Sequence, residues 1–185
     1  MTEKEKMLAG LLYDAADPGL VEERSRAHDL CHELALVRPS DTCAIERIVR
    51  SLLPHAGENL SITPPFFCDY GWNITTGRDF YCNTGCVILD VAPVTIGNGV
   101  LFGPGVQIYT ATHPLDPAQR AQSLELAAPI HIGHNVWLGG CAILCPGVSI
   151  GDNTVIGAGS VVTHDIPAGV LAVGNPCRVI KSLSK

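Results

Sequence analysis

His113 is the residue of this chain best suited to proton chemistry. It stands in the run Tyr109-Thr110-Ala111-Thr112-His113-Pro114-Leu115-Asp116-Pro117, followed by a polar stretch to Pro129. A neutral imidazole can take a proton near pH 7, which makes a loop histidine a candidate general base. Prolines cannot donate to a strand ladder, so this segment must leave any sheet at least in part. Eight cysteines (Cys31, Cys43, Cys68, Cys82, Cys86, Cys141, Cys145 and Cys177) offer thiol or metal chemistry, but none form a Cys-x-x-Cys pair. The spacings of Cys82/Cys86 and Cys141/Cys145 lack a matching histidine pattern. They read as small core-filling thiols, with Cys141 and Cys145 packing between coils, and disulfides are not expected in a reducing compartment.

The elements that must hold His113 are set by a six-residue beat. Ile132, Leu138, Leu144, Ile150, Ile156 and Val162 stand six apart, and Gly133, Gly139, Gly151 and Gly157 each follow one of them. Two positions earlier come Ile130, Val136, Ala142, Val148, Thr154 and Ser160, all β-branched or small. Ile96, Phe102 and Ile108 keep the beat upstream, and the interval from Ile108 to Ile132 is a multiple of six. A fixed short period of this kind marks a parallel β-helix. The large aliphatic points inward, glycine permits the corner, and Asn98, Asn135 and Asn153 suit left-handed corner angles. The break between Ile108 and Ile130 is a long loop thrown out of a regular scaffold, the usual place for function.

Residues 1–57 have helical character instead. Met7, Leu8, Leu11 and Leu12 form a helical stripe, and Asp17-Pro18 reads as a helix start. Leu20 to Leu34 continue at helical spacing until Arg38-Pro39, and Ser40 or Asp41 can cap a third helix ending before Pro54. The expected organisation is a helical cap over 1–57, a β-helix over 58–175 with a long loop near 109–129, and a tail over 176–185. The cap would shield the exposed strand edges of a terminal coil. Hydrophobic content of 46% with 5% aromatic suits a narrow core of Val, Ile, Leu and Ala. A net charge of −6 argues against a nucleic-acid partner. No apolar run spans a bilayer and the start lacks a signal-peptide core, so a cytoplasmic protein is expected.

The chain resembles the maltose/galactoside O-acetyltransferases of the hexapeptide-repeat acyltransferase superfamily. The likeness is carried by Glu3–Gly10 with Tyr13, Cys68-Asp69-Tyr70-Gly71, Phe80-Tyr81-Cys82-Asn83 and Tyr109 through Asp116. It continues through Ile132–Gly139, with its Asn135-Val136-Trp137-Leu138-Gly139, Pro146–Gly159 and Gly174–Arg178. The resemblance implies a left-handed parallel β-helix with a small N-terminal helical cap, a homotrimer with sites between subunits, and acetyl-CoA as co-substrate with no metal required. Handedness comes from the resemblance alone, because the general crossover rule favours right-handed connections.

Residue roles follow from the same likeness. His113 falls on the family's catalytic histidine, and Asp69 and Asn83 on positions that contact an acceptor sugar. Trp137, Gly140, Ala158, Thr163, Arg178 and Lys181 fall on positions that meet the cofactor, with the Gly140 N–H as a candidate oxyanion donor. Where the family often has Thr-Lys-Asp, this chain has Thr163-His164-Asp165, which implies weaker or more pH-dependent CoA binding. The acceptor-binding acidic position near Asp14 and Asp17 falls on Ala15. Three other readings are a different hydroxyl or amine acceptor, a non-catalytic β-helix scaffold, and a γ-carbonic-anhydrase-like zinc site using His113, His131 and His134.

Overall fold

The structure is a computed structural model that describes residues 1–183. The beat residues Ile132, Leu138, Leu144, Ile150, Ile156 and Val162 are all buried, and so are Ile130, Val136, Ala142, Val148, Thr154 and Ser160 two places earlier. Each six-residue unit therefore sends two side chains inward and the one between them outward. Fully burying a large aliphatic stabilises by about 1.5–3 kcal/mol, so stacked identical units build a continuous core.

The units form a prism with three faces of parallel strands. The first face stacks His55–Ala56, Ile74–Thr76, Val94–Ile96, Ile130–Ile132 and Ser149–Ile150. The second stacks Ser61–Ile62, Tyr81–Cys82, Leu101–Phe102, Trp137–Leu138, Val155–Ile156 and Val170–Val173. The third stacks Phe66–Cys68, Cys86–Leu89, Gln107–Tyr109, Ile143–Leu144 and Val161–Val162. Late coils pair residues 18 apart, as His131 with Ser149 and Ile143 with Val161. Early coils pair residues 20 apart, as Thr75 with Thr95 and Val87 with Gln107, which is why the beat is harder to read there. Across the break the spacing is 36, as Thr95 with His131 and Leu101 with Trp137.

The glycines that directly follow the beat residues serve stacking rather than backbone freedom. A Cβ on Gly133 would lie 2.2 Å from Asp152 Oδ1, and one on Gly139 would lie 2.5 Å from the Ala158 amide nitrogen. Left-handed φ is taken two positions further on, at Asn135 (55°) and Asn153 (56°). Asn98 does not follow that expectation: Gly99 takes the positive φ, and the Asn98 side chain accepts the Arg78 N–H at 3.0 Å. Five cysteines are buried, but Cys43 and Cys141 are exposed and Cys145 is half-buried. Cys141 occupies an exposed left-handed corner (φ 58°), its Sγ over Gly105 of the preceding coil, rather than the core.

The cap contains helices α1 (Glu3–Leu8), α2 (Pro18–Leu36) and α3 (Thr42–Leu52). Asp17 caps α2 through Gly19 and Leu20, with Pro18 at its first turn, and Asp41 caps α3 through the Ala44 N–H. Ala27, Cys31 and Leu34 of α2, with Ile48, Val49 and Leu52 of α3, join the prism core at its first coil. The expected Met7–Leu12 stripe is cut short. The chain turns at Gly10 (φ 68°), leaving Leu11 and Leu12 exposed and Tyr13–Asp14 extended. The expected tail is also more ordered: Arg178–Ser182 pairs antiparallel with Val170–Val173, while Ser184 and Lys185 lie outside the described residues.

Candidate active site

The break leaves the prism between the third face and the first. It is a folded excursion rather than an irregular loop. Ala111–Thr112 pairs antiparallel with Leu124–Ala127, which pairs in turn with Tyr13–Asp14 from the cap. A short helix α4 (Pro117–Arg120), capped by Asp116, joins the two excursion strands. Ala127 and Tyr13 pack with Met7, Leu20, Tyr70, Val91 and Ala92 in a second small core. His113 follows directly on Ala111–Thr112 and is exposed. The excursion's strand pair thus holds the imidazole at the surface while its base is locked to the cap.

Asp69 stands on the same third-to-first edge. Its Oδ1 lies 3.6 Å from His28 Nε2, an electrostatic contact too long for a hydrogen bond. Burial pushes the Asp69 carboxyl up, while His28 and Arg24 pull it back down. Arg24 donates to the Tyr70 hydroxyl at 3.0 Å and to the Ala15 carbonyl at 3.1 Å. The Tyr13 hydroxyl donates to Glu125 at 2.8 Å, joining cap and excursion.

Asp90 organises this edge from within. It is fully buried, and its carboxylate accepts the N–H groups of Asp69 (3.0 Å), Tyr70 (2.9 Å) and Gly71 (2.7 Å). Burial pushes its carboxyl up to about 6, against the pull of those N–H donors. Thr110 repeats the device one coil on, accepting the Ala92 N–H at 2.9 Å and donating to the Leu89 carbonyl at 2.6 Å. Sequence reasoning missed Asp90, His28 and Glu125. For Asp90 a signal existed: it is the one charged residue in the run from Cys82 to Pro93.

Of the remaining candidates, Thr163 follows the third-face strand Val161–Val162 and lies on this same third-to-first edge in a later coil, whereas others lie elsewhere. Asn83, Gly140 and Ala158 follow second-face strands and so mark the second-to-third edge. The Asn83 side chain accepts the Thr84 N–H at 2.8 Å. The Gly140 carbonyl accepts from Gly159 at 2.9 Å, and among the described residues its N–H donates to no group of its own protomer. Trp137 projects from the second face and is 53% exposed, in register between Leu101 and Val155. One protomer thus separates His113 and Asp69 from Asn83, Gly140 and Ala158. His134 sits on the first-to-second edge, where its Nδ1 accepts the Asn98 N–H at 2.9 Å, so it serves a corner rather than a site shared with His113. No group of three or more His, Cys, Asp or Glu side chains is placed to hold a metal among the described residues.

Residues 6–57 match the maltose acetyltransferase hexapeptide capping motif, and residues 129–164 match the bacterial transferase hexapeptide (six repeats). A putative acetyltransferase of Staphylococcus aureus is 50% identical over 99% of this chain and 92% of its own length. This chain belongs to the maltose acetyltransferase family. A solved maltose O-acetyltransferase from Clostridium difficile is 47% identical, covers 100% of this chain and 99% of its own, and superposes with a TM-score of 0.98. A galactoside acetyltransferase solved in complex with coenzyme A is 41% identical, with 100% and 92% coverage and a TM-score of 0.96. The protein is accordingly an acetyltransferase built on a left-handed parallel β-helix with a small helical cap.

The departure from the family pattern at His164 falls in a definite place. Thr163 Oγ1 lies 2.9 Å from His164 Nδ1, and His164 shares a shallow cavity of about 310 Å³ with Asp165, Ile166, Cys177, Arg178 and Val179. Asp165 is held by the Ser149 N–H at 2.7 Å, and Arg178 donates to the Cys177 carbonyl at 2.8 Å. Lys181 lies apart on the exposed final strand, opposite Leu171. In this acetyltransferase the structure brings His164 and Arg178 together and leaves Lys181 outside their cavity. No helix among the described residues is long and apolar enough to cross a membrane.

Proposed function

We propose that the protein transfers the acetyl group of acetyl-CoA directly to a hydroxyl of a sugar, of the maltose, glucose or galactoside type. The observation that carries this reading is His113 exposed at the root of the excursion, on the same prism edge as the half-buried Asp69. In this mechanism the neutral imidazole of His113 takes the hydroxyl proton as the oxygen attacks the thioester carbonyl carbon. The tetrahedral oxyanion accepts the Gly140 N–H, which has no partner in its own protomer. Collapse of that intermediate breaks the carbon–sulfur bond, and the imidazolium returns its proton to the CoA sulfur. The thioester is already activated, so no nucleophilic cysteine is required. Asp69 and Asn83 hydrogen-bond acceptor hydroxyls.

On the donor side, Trp137 packs against the cofactor's apolar arm beside Ala158 and Thr163. Arg178 and Lys181 meet its phosphates, with no metal. Because Asn83, Gly140 and Ala158 lie on a different edge of one prism from His113 and Asp69, each site takes these two sets of residues from two neighbours in a homotrimer. The outward rows support that assembly. The first face presents His55, Thr75, Thr95, His131 and Ser149, whereas the second presents Ser61, Tyr81, Leu101, Trp137, Val155 and Leu171. The third presents Phe67, Val87, Gln107, Ile143 and Val161, so two faces are mostly apolar along the later coils and suited to being covered. The expected compartment is the cytoplasm, where acetyl-CoA is supplied.

The test is release of the CoA thiol from acetyl-CoA against mono- and disaccharides, amines and non-sugar hydroxyls, run beside His113→Ala. The variant should lose about 10³-fold in turnover while binding acetyl-CoA within about threefold of wild type. Wild-type turnover by His113→Ala would remove the general-base assignment. Preference for an amine or a non-sugar hydroxyl would reassign the acceptor.

A further inference from the structure

Three short strands cross the edge where His113 stands. Ala111–Thr112 pairs with Leu126 and Ala127, and on the other side Tyr13–Asp14 pairs with Leu124 and Glu125. Continuing the first register by one residue places His113 opposite Glu125. Tyr13, Glu125 and His113 therefore fall in one row across the sheet. The middle strand has the proposed base on one side and the cap on the other.

The cap side of this row is firmly held. Asp14 donates its N–H to Glu3 of α1 at 2.7 Å, and Arg24 of α2 donates to the Ala15 carbonyl at 3.1 Å. The Tyr13 ring is 1% exposed and packs in the small core with Met7, Leu20 and Ala127. Its hydroxyl reaches across to the half-buried Glu125 and donates to that carboxylate at 2.8 Å. Burial, and then the bond to Glu125, push the Tyr13 phenol well above its usual value. The hydroxyl thus keeps its proton, and the bond its direction, across neutral pH.

The excursion side depends on that hold. The strand that leads to His113 has two residues, and an isolated pair of short strands is marginal in water. Beyond His113, Arg120 of α4 donates to the Pro114 carbonyl at 3.0 Å and the Leu115 carbonyl at 3.1 Å. α4 itself buries none of its residues. The two excursion strands and α4 are one piece, and the Tyr13 side chain ties that piece to the cap.

We propose that Tyr13 is a positioning residue for acetyl transfer, holding the excursion through Glu125 at the place that sets His113 against the acceptor hydroxyl. The role rests on His113 as the general base proposed above. Proton removal needs a ring nitrogen within hydrogen-bond reach of the hydroxyl, and a misplacement of about 1 Å can cost about 100-fold in rate. The proposed cofactor contacts Gly140 and Ala158 stand on a different edge. Loss of the bond should therefore change turnover and not cofactor affinity.

The experiment measures kcat and KM by release of the CoA thiol, with the acceptor that the wild type turns over fastest. The full-length wild type is compared with Tyr13→Phe, Glu125→Gln, Glu125→Ala and the Tyr13→Phe/Glu125→Ala double variant, each checked for folding by thermal unfolding. Tyr13→Phe keeps the buried ring and should lower kcat about tenfold, with the KM for acetyl-CoA within about twofold of wild type. Glu125→Ala should do the same. The double variant should fall no further, because its second change removes a bond already lost. Glu125→Gln keeps an oxygen that can accept the hydroxyl and should hold kcat within about threefold of wild type. The proposal is overturned if Tyr13→Phe keeps wild-type kcat, whatever its unfolding temperature. It is equally overturned if the two losses multiply in the double variant, or if Glu125→Gln is as damaging as Glu125→Ala. Wild-type turnover by His113→Ala would instead defeat the general-base reading; a loss in His113→Ala with none in Tyr13→Phe defeats the positioning role alone.

Discussion

Asp90 shows how a single buried side chain shapes an edge that other residues use. Its three amide donors fix the Asp69–Gly71 turn, yet its ionisation is resisted because burial holds its carboxyl at about 6. The unfolded chain ionises near the ordinary aspartate value of about 3.9. The protonated form is therefore favoured by folding, and its contribution, present in full below about pH 4, is lost as pH rises to 6. The magnitude is on the order of 3 kcal/mol. Asp90→Asn should flatten that slope while lowering overall stability, because an amide nitrogen cannot accept the Gly71 N–H. Urea midpoints of both proteins between pH 4 and 7 check this, and an unchanged slope in the variant would sink it. His164 makes the opposite kind of case, an exposed residue beside Arg178 in the C-terminal cavity. A permanent charge there should help a phosphate only modestly, because exposed ion pairs are screened. His164→Lys should lower the KM for acetyl-CoA by about two- to fivefold and leave the sugar KM unchanged; a shift confined to the sugar KM would contradict the placement.

The strands and corners were legible from the six-residue beat because a coil of three such units repeats its inward pair without exception from Ile130 to Val162. Upstream the early coils carry two extra residues, at the corners that hold Asp69 and Asp90, so the beat drifts and its register had to come from pairing. The excursion's departure was legible from its prolines, but its pairing with Tyr13–Asp14 was not, since a two-residue strand has no periodicity to detect. Nor does periodicity separate the two uses of glycine. Gly139 admits the next coil, whose Ala158 nitrogen would lie 2.5 Å from an added Cβ, whereas Gly159 faces open space at φ 67°. Gly139→Ala should cost about 2–3 kcal/mol through forced backbone displacement. Gly159→Asn should cost under about 1 kcal/mol, because asparagine tolerates left-handed angles. Thermal unfolding ranks the two, and equal losses would mean that corner glycines answer to backbone angle alone.

At the scale of the whole molecule, a rigid prism turns a sequence repeat into separated edges. Residues one coil apart stack on the same edge, so Asn83, Gly140 and Ala158 align, while His113 and Asp69 gather on the next. The individual residues proposed for the site were picked out in the sequence only through family resemblance. Their division between edges was not readable at all, because it depends on which face each unit occupies. That division has a consequence that no single protomer can display. His113→Ala removes the proposed base from one wall, and Ala158→Glu places bulk and negative charge at an exposed position on the proposed donor wall. Each variant alone should be inactive. When the two are unfolded and reassembled together in equal amounts, a site works only if its base wall comes from the Ala158→Glu chain and its donor wall from the His113→Ala chain. Random closed trimers satisfy both conditions at about one site in four, so about a quarter of wild-type activity should return. Walls supplied by the same chain would give no recovery, since every protomer in the mixture carries one of the two defects.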